Sequence, residues 1–379
     1  MTIDKDASPF LSLPAAVDAA RIAPGSPDAG VPAHYGNPLL EQRQLAGGKA
    51  IVDLSNRAVL SIGGADRLSW LNSMSSQLLA SLGPGESSET LLLDPNGHIE
   101  HAAYAIDDGE TLWLIVEGSD AQATLDFLQK MRFMLRVEPA DRTADFAVIG
   151  AFLGALPGDL ADASLTWHDP WPHVSVGGHQ YSTGEHPGTA YTWTETLIPR
   201  SSLSALAARV ASGEVAVAGT LAAEALRIAA WRPRLATEVD ERTIPHELDW
   251  LRTAVHLTKG CYRGQETVAK VHNLGHPPRR VVMLHLDGSD AVLPAPGAAV
   301  SVDKAGERVT VGRITSSALH YELGPIALAV IKRSTDPEAT LHAGDGGTDV
   351  TAAQQVIVPP DAGAEANVPR IPRLGAVPR

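Results

Sequence analysis

The alternation of apolar and polar positions divides the middle of the chain into strands and helices. Short apolar, β-branched runs predict strands at 50–53 and 58–62. The apolar positions that follow Asp66 share one helical face and predict a helix that ends at Gly83-Pro84-Gly85. Further strands are predicted at 89–93, 99–106, 111–117 and 133–137, with a second helix over 120–130. This order indicates a sheet with helices packed on it, an α+β unit.

The pattern starts again near residue 144, which indicates a second α+β unit. It comprises strand-like runs at 146–149 and 191–198 and helical patterns at 201–211 and 220–231. Beyond Pro277 the pattern changes to short runs of alternating apolar and polar residues separated by Gly and Pro. This pattern is typical of a small β-barrel or sandwich. These runs lie at 280–286, 299–302, 309–315 and 326–332.

Both ends of the chain are rich in Pro, Gly and Ala and show no periodicity. We therefore expect a flexible N-terminal segment at 1–40 and a disordered Pro-rich tail at 358–379. The predicted domains between them are a first α+β domain at 41–143, a second at 144–276 and a C-terminal β-barrel at 277–357. No Gly-rich phosphate loop follows a strand, so nothing favours a Rossmann or P-loop nucleotide site.

Composition narrows the classes of partner. The chain has 379 residues with 44 Asp and Glu against 30 Lys and Arg, a formal charge of −14. Nucleic acid and anionic lipid both attract basic surfaces, so we expect no direct nucleic-acid binding and no membrane association. The absence of a signal-like N-terminus and of a run of about 20 apolar residues makes a cytoplasmic location the expectation.

Positive charge is concentrated in one segment. Residues 227–280 contain ten Lys and Arg against six Asp and Glu. This excess predicts a pocket for an anionic small molecule, with Arg227, Arg232 and Arg234 as candidate partners of its carboxylates. The alternative is that these are ordinary solvated charges of helices and loops.

The same segment contains Cys261, the only cysteine of the chain, so neither an intramolecular disulfide nor a four-thiolate cluster site can form within it. Gly260 and Gly264 bracket Cys261 and predict a tight turn that presents the thiol. Lys259 and Arg263, two residues away on either side, would favour the reactive thiolate. An inert, packed cysteine is the alternative.

Residues 259–266, Lys-Gly-Cys-Tyr-Arg-Gly-Gln-Glu, resemble the K-G-C-Y-x-G-Q-E motif of the YgfZ family, which belongs to the glycine-cleavage T-protein superfamily. Segments at 53–55, 64–71, 224–228 and 243–247 are also similar to superfamily segments, in the same order. The resemblance implies a three-domain T-protein-like ring architecture of class α+β. Two α/β sheet domains and a small C-terminal β-barrel would surround a central folate pocket.

The resemblance also implies a role. Tetrahydrofolate or another reduced folate is the expected cofactor, and iron–sulfur assembly factors and client enzymes are the expected partners, with tRNA modification affected indirectly. Cys261 is the expected reactive thiol and Lys259 the residue expected to activate it. No metal site is expected. The residues expected to contact the cofactor are Arg227, Trp231, Tyr262, Arg263, Gly264, Gln265 and Glu266.

Two departures from the superfamily pattern bear on the reaction. An aminomethyltransferase of this superfamily carries an Asp pair where this chain has His101 and Ala102, and Glu100 is displaced by one residue. The superfamily's pterin-reading Glu is replaced by Ala229. Loss of a carboxylate that handles the folate amine disfavours aminomethyl transfer. Two alternatives remain, which are an aminomethyltransferase and a folate-binding scaffold without chemistry.

Overall fold

The computed structural model describes residues 7–366 except 153–154, 162–164, 289–291 and 345–348. The strands are β1 (Val17–Asp18), β2 (Pro32–His34), β3 (Ala50–Asp53), β4 (Ala58–Gly63), β5 (Ser87–Leu93), β6 (Ile99–Asp107), β7 (Thr111–Val116), β8 (Glu138–Asp141), β9 (Phe146–Phe152), β10 (Leu165–His168), β11 (Trp193–Pro199), β12 (Ala216–Ala218), β13 (Arg279–Leu286), β14 (Ala299–Lys304), β15 (Glu307–His320), β16 (Gly324–Lys332), β17 (Leu341–Ala343) and β18 (Val350–Val356). The helices are α1 (Ala19–Ile22), α2 (Pro38–Ala46), α3 (Arg67–Met74), α4 (Ala121–Lys130), α5 (Gly158–Ala161), α6 (Leu203–Ala211), α7 (Thr220–Ala229), α8 (Leu235–Glu238) and α9 (Gln265–Leu274).

The first sheet is antiparallel, with strand order β5-β6-β7-β4-β8. Helices α3 and α4 cover its outer face, where Trp70 and Leu71 of α3 and Leu128 of α4 join one buried apolar cluster with the sheet. Successive strand residues point to opposite faces, so the remaining apolar positions face inward. The helix predicted over 120–130 is confirmed. The helix predicted from Asp66 to the stop at Gly83 is confirmed only as far as Met74, where α3 ends, and residues 75–82 are not helical.

The second sheet has the order β10-β11-β9-β3-β12. Strand β3 pairs antiparallel with β9 and parallel with β12, so it lies in the second sheet although it precedes the whole first sheet in the chain. The predicted boundary of a first domain at 41–143 is wrong on this point. All four residues of β3 are buried, as a central strand requires, but this local pattern cannot indicate which sheet the strand joins.

The C-terminal strands close into the predicted small barrel, in the order β13-β16-β15-β14-β17-β18. β13 pairs with both β16 and β18, which leaves no free edge. Val282, Leu284 and Ile314 are among the apolar residues that fill the barrel.

The N-terminal segment is not flexible over the residues that the structure describes. Phe10 is fully buried in the apolar cluster formed by α6 and the outer face of the second sheet. Strands β1 and β2 pair antiparallel in a small hairpin that follows it. The prediction for 1–40 is therefore wrong for 7–40, because short elements that each bury one or two apolar side chains produce no periodicity along the sequence.

The C-terminal prediction is also partly wrong. Ile357 and Val358 are fully buried, and the Val358 amide donates to the Val281 carbonyl over 3.3 Å. The Glu365 amide donates to the His272 carbonyl at the end of α9 over 2.9 Å. The segment up to residue 366 is thus fixed to the barrel and to α9, and 367–379 lie outside the described residues.

Residues 133–137 form a turn rather than the predicted strand. Phe133 has a positive φ of 46°, and the side chains of Phe133 and Met134 are 80% and 99% exposed. The strand of this region is β8, which begins only at Glu138. An apolar run here does not mark a buried strand, because Phe133 and Met134 project into solvent and only Val137 joins the core of the first sheet.

The inner faces of the two sheets share the largest apolar cluster of the molecule with the facing side of the barrel. Trp167, Trp171 and Trp250 lie fully buried in this layer. It is the place where residues from distant parts of the sequence meet.

Candidate functional site

The turn at 259–264 lies against the hairpin that joins β5 and β6. Gly264 has a φ of +82°, and a Cβ atom there would come within 2.6 Å of the Asp94 carbonyl oxygen. Gly97 of the hairpin has a φ of +86°, and its Cβ would come within 2.9 Å of Cβ of Thr267. Both glycines therefore permit the hairpin and α9 to approach closely, which is a packing role for Gly264.

Lys259 is a clamp between this turn and the end of α3. Its buried Nζ donates to the carbonyl oxygens of Asn72, Ser75 and Gln77 over 2.7, 2.7 and 2.6 Å. Burial lowers the pKa of Lys259 to about 8, so the ammonium still carries its proton at neutral pH. All three of its hydrogens are engaged, and the expectation that Lys259 activates the thiol is wrong for this arrangement.

The remaining residues of the motif point in different directions. Cys261 is exposed, as the bracketing glycines predict, and Glu266 is exposed in the first turn of α9. Tyr262 is buried, with its ring 5.4 Å from Nζ of Lys259. Gln265 donates through Nε2 to the Lys259 carbonyl over 3.4 Å. The motif thus holds the turn in place and presents the thiol outward, but it does not converge on one cavity.

An open depression of about 810 Å³ lies beside the turn. Arg263 reaches into it and donates to Glu100 over 2.5 Å, with its guanidinium 5.5 Å from the ring centre of Phe127. The depression is also lined by three further carboxylates and one further cation, which are Asp94, Asp120, Glu241 and Lys130. Its four carboxylates outnumber its two permanent cations, so an anionic ligand is not favoured there.

His101 and Ala102 lie on opposite faces of β6. Nδ1 of His101 is 2.9 Å from Oδ1 of Asp120 and 3.2 Å from Oγ1 of Thr124, on the side of α4. Ala102 faces inward and lines a cavity of about 10 Å³ between the sheets. The inner position that the superfamily pattern assigns to an aspartate therefore offers only a methyl group.

The three candidate arginines are buried in ion pairs. Each is at most 6% exposed and is held by carboxylates from other elements. The pairs are Arg227 with Glu224 and Glu238, Arg232 with Glu89 and Asp169, and Arg234 with Asp28, Glu117 and Glu224. Because these carboxylates already occupy the guanidiniums, the expectation that the arginines are free to bind ligand carboxylates is wrong for this structure. The local pattern could not indicate this, since the partners lie up to 206 residues away in sequence.

Trp231 belongs to the core rather than to a ligand surface. It has a φ of +61°, is buried, and donates from Nε1 to the sulfur of Met283 over 3.1 Å. Its ring also meets the edge of His186 at a centroid distance of 5.1 Å. The prediction that it stacks on a cofactor ring is not supported by this packing.

The centre between the sheets contains polar groups that sequence reasoning missed. Nη2 of Arg57, just before β4, lies 3.5 Å from Oε1 of Glu195 on β11. Nε of Arg57 and Oε2 of Glu195 are buried and have no hydrogen-bond partner among the described residues. Burial raises the pKa of Glu195, although Arg57 opposes the shift. Such unpaired buried groups are costly and mark a place where a ligand or water can bind.

Aromatic rings surround this pair. Trp193 donates from Nε1 to Oε1 of Glu195 over 3.2 Å and stacks on Tyr191 at 6.2 Å. The ring centre of Tyr104 is 5.4 Å from the guanidinium of Arg57. Glu195 is the only charged residue of β11, and a lone carboxylate in a strand was the available sequence signal for this site.

Arg57 lines both of the small cavities in the centre, which measure about 30 and 10 Å³. Asp28, Arg234 and Trp193 line the larger one, and Tyr104 lines the smaller one. Pockets for small molecules usually measure ~300–1,000 Å³. The centre therefore has the polar groups of a ligand site but too little open space in this conformation.

Within the described ranges, no group of three or more His, Cys, Asp or Glu side chains is arranged to hold a metal ion. The helices of the described part of the chain are all too short or too polar to span a membrane.

Comparison with known proteins bears on the fold. No family model matches the chain. A chloroplastic "putative transferase" of Arabidopsis thaliana is 27% identical over 285 residues, which cover 71% of this chain and 62% of the relative. The chain thus spans less than two thirds of the length of that relative.

The fold is that of a solved T-protein. The crystal structure of the glycine cleavage system aminomethyltransferase T from Bartonella henselae matches with a TM-score of 0.68 and 18% identity, covering 89% of this chain and 92% of that chain. The predicted T-protein-like architecture, two α/β sheet units with a closed barrel, is confirmed at the level of fold. At this identity the match concerns the fold alone.

Proposed function

We propose that this chain binds a reduced folate, with the pterin ring in the centre between the two sheets, and that it serves the maintenance of iron–sulfur proteins. The observation that carries the proposal is the pair of unpartnered buried atoms, Nε of Arg57 and Oε2 of Glu195, in an aromatic surround. A ligand that satisfies both atoms would gain free energy that the free protein lacks.

The chemistry of a pterin suits this pair. Its aminopyrimidinone edge presents adjacent N–H donors, which match the carboxylate of Glu195, and a carbonyl acceptor, which matches the guanidinium of Arg57. Tyr104 and Trp193 supply apolar ring surface close to the same pair. The surplus of carboxylates in the centre also favours a ligand edge that donates hydrogen bonds over an anionic one.

The transfer reaction of the structural relative is not part of the proposal. Ala102 occupies the inner position on β6 where that chemistry needs a carboxylate, and the His101 ring faces the other side of the sheet. The family resemblance of 259–266 and the exposure of Cys261 support a thiol that acts at the protein surface on a client protein.

Calorimetric titration of the protein with tetrahydrofolate and its formyl and methylene forms tests the folate site. We expect binding by the wild type and at least ~10-fold weaker binding by Glu195→Gln, because an amide presents a donor where a ligand donor must be accepted. Glu185→Gln, at an exposed position, is the matched control and should bind as the wild type does. Absence of binding heat with all three folates in the wild type would refute the assignment.

The thiol is tested separately by Cys261→Ser in cells that depend on this protein. We expect lower activity of cluster-dependent enzymes under oxidative stress, with folate binding unchanged because Cys261 lies outside the central site. Full enzyme activity with this variant would exclude the thiol role and leave a folate-binding scaffold.

A further inference from the structure

The segment at 23–30 contributes one wall of the central site. It is the tip of the hairpin formed by β1 and β2, whose register joins Val17 to His34 and Asp18 to Pro32. Within this tip, Asp28 is the residue that reaches inward, and it lines the larger central cavity beside Arg57 and Trp193. We call residues 23–30 the plug.

Above its base at Gly30, the plug is held by the side chain of Asp28 and by Asn56. The two carboxylate oxygens of Asp28 accept from Nη1 and Nη2 of Arg234 over 3.0 and 2.8 Å. Nδ2 of Asn56 donates to Oδ1 of Asp28 over 3.2 Å and to the Pro27 carbonyl over 3.1 Å. Asp28 is the only buried residue between residues 21 and 30, so the plug buries little apolar surface that would resist its removal.

Removal of the Asp28 side chain would not leave the guanidinium of Arg234 without carboxylate partners. Glu117 binds the same guanidinium through Nε and Nη2 over 2.6 and 2.8 Å, and Glu224 accepts from Nη1 over 3.1 Å. The ion pairs of Arg227 and Arg234 involve four carboxylates, Asp28, Glu117, Glu224 and Glu238, against two guanidiniums. Asp28 is therefore a surplus carboxylate, and its departure avoids the usual penalty of an unpaired buried charge.

The backbone of the plug permits movement at Gly25. This residue has a φ of +82°, and a Cβ there would meet no atom within 4 Å. Gly30 marks the fixed base of the plug, since its amide donates to Asp18 and its carbonyl accepts from the Ser8 amide. The tip can thus move about Gly25 while Gly30 and the hairpin stem stay in place.

We infer that the plug is a gate on the central site, latched by Asp28 on Arg234, which swings outward to admit the ligand. The identity of that ligand as a folate rests on the function proposed above. The gate also accounts for the mismatch between the ligand-like groups of the centre and its cavities of about 30 and 10 Å³. Displacing the Asp28 side chain opens the larger cavity toward solvent.

The test uses Asp28→Ala in the full chain, with Arg21→Ala as the matched control, because Arg21 is an exposed charge in α1, two residues before the plug. Hydrogen exchange of the amides at 23–31, measured without ligand, reports the gate. We expect faster exchange in Asp28→Ala and wild-type exchange in Arg21→Ala. Titration with tetrahydrofolate should then give at least ~10-fold tighter binding to Asp28→Ala, because the cost of opening is removed.

The two readouts separate the gate from the folate assignment. Faster exchange without folate binding by any variant would support the gate and refute the folate. Unchanged exchange, together with equal folate affinity in wild type and Asp28→Ala, would overturn the gate and leave the folate site intact. If Asp28→Ala does not fold, Asn56→Ala removes the other hold on the plug and is expected to change both readouts in the same direction.

Discussion

At the scale of single residues, the motif at 259–266 combines structural and chemical roles that its spacing does not distinguish. Lys259 and Gly264 fix the turn to the first sheet unit, through three carbonyl oxygens and a close backbone contact respectively. Cys261 is left as the exposed group that those contacts present. A short motif can therefore be specific because most of its residues hold one residue in position.

The two glycines of the motif provide a matched test of this interpretation. Gly264→Ala should lower the free energy of unfolding by about 2 kcal/mol or more, because it adds a Cβ at positive φ and 2.6 Å from a carbonyl oxygen. Gly260→Ala should change it by less than about 0.5 kcal/mol, since a Cβ there meets no atom within 4 Å. Urea unfolding of both variants measures the difference, and equal effects would contradict the packing role.

At the scale of elements, the N-terminal segment is the largest difference between expectation and structure. Its first turn, Pro9–Ser12, packs Phe10 against α6, and its hairpin carries the plug to the central site. The segment is thus part of the fold rather than a flexible leader to it. Its short elements depend on the sheets they pack on, so they have little signal of their own.

The packing of the N-terminal segment can be tested by replacing Phe10 with alanine and comparing the effect with that of the same replacement at the exposed Phe133. Phe10→Ala should destabilise the protein by about 3–5 kcal/mol, as expected for a fully buried phenylalanine. Phe133→Ala should cost less than about 0.5 kcal/mol, because that ring is 80% exposed. Thermal unfolding followed by circular dichroism reports both, and a small effect of Phe10→Ala would indicate that the segment does not pack as described.

At the scale of the whole molecule, the centre between the sheets is controlled by buried charge. Carboxylates from the N-terminal hairpin, the first sheet, α7 and the residue after β10 converge on Arg227, Arg232 and Arg234, which the sequence pattern predicts as free cations. Burial alone would raise the pKa of Asp28, but the guanidinium of Arg234 outweighs it and holds the pKa below the usual range. This compensation keeps Asp28 ionised and its latch on Arg234 intact at neutral pH.

Much of the fold was predictable from the sequence because the periodicity of a helix or strand depends only on residues that are close together in the chain. The apolar faces of α3, α4, α6 and α7, the alternating strands of the first sheet and the change of texture at Pro277 each follow from side chains close together in the chain. The exposure of Cys261 was predictable for the same reason, since the glycines that bracket it are its neighbours.

The tertiary structure alone decided which sheet β3 joins, which carboxylates neutralise Arg227 and Arg234, and that Arg57 meets Glu195 between the sheets. These are contacts between groups far apart in the chain, and their energies depend on burial and on partners that no local pattern specifies. The sequence by itself therefore determined most helices and strands between residues 50 and 332 and the presented thiol, whereas chain packing determined the N-terminal elements, the central site and the plug beside it.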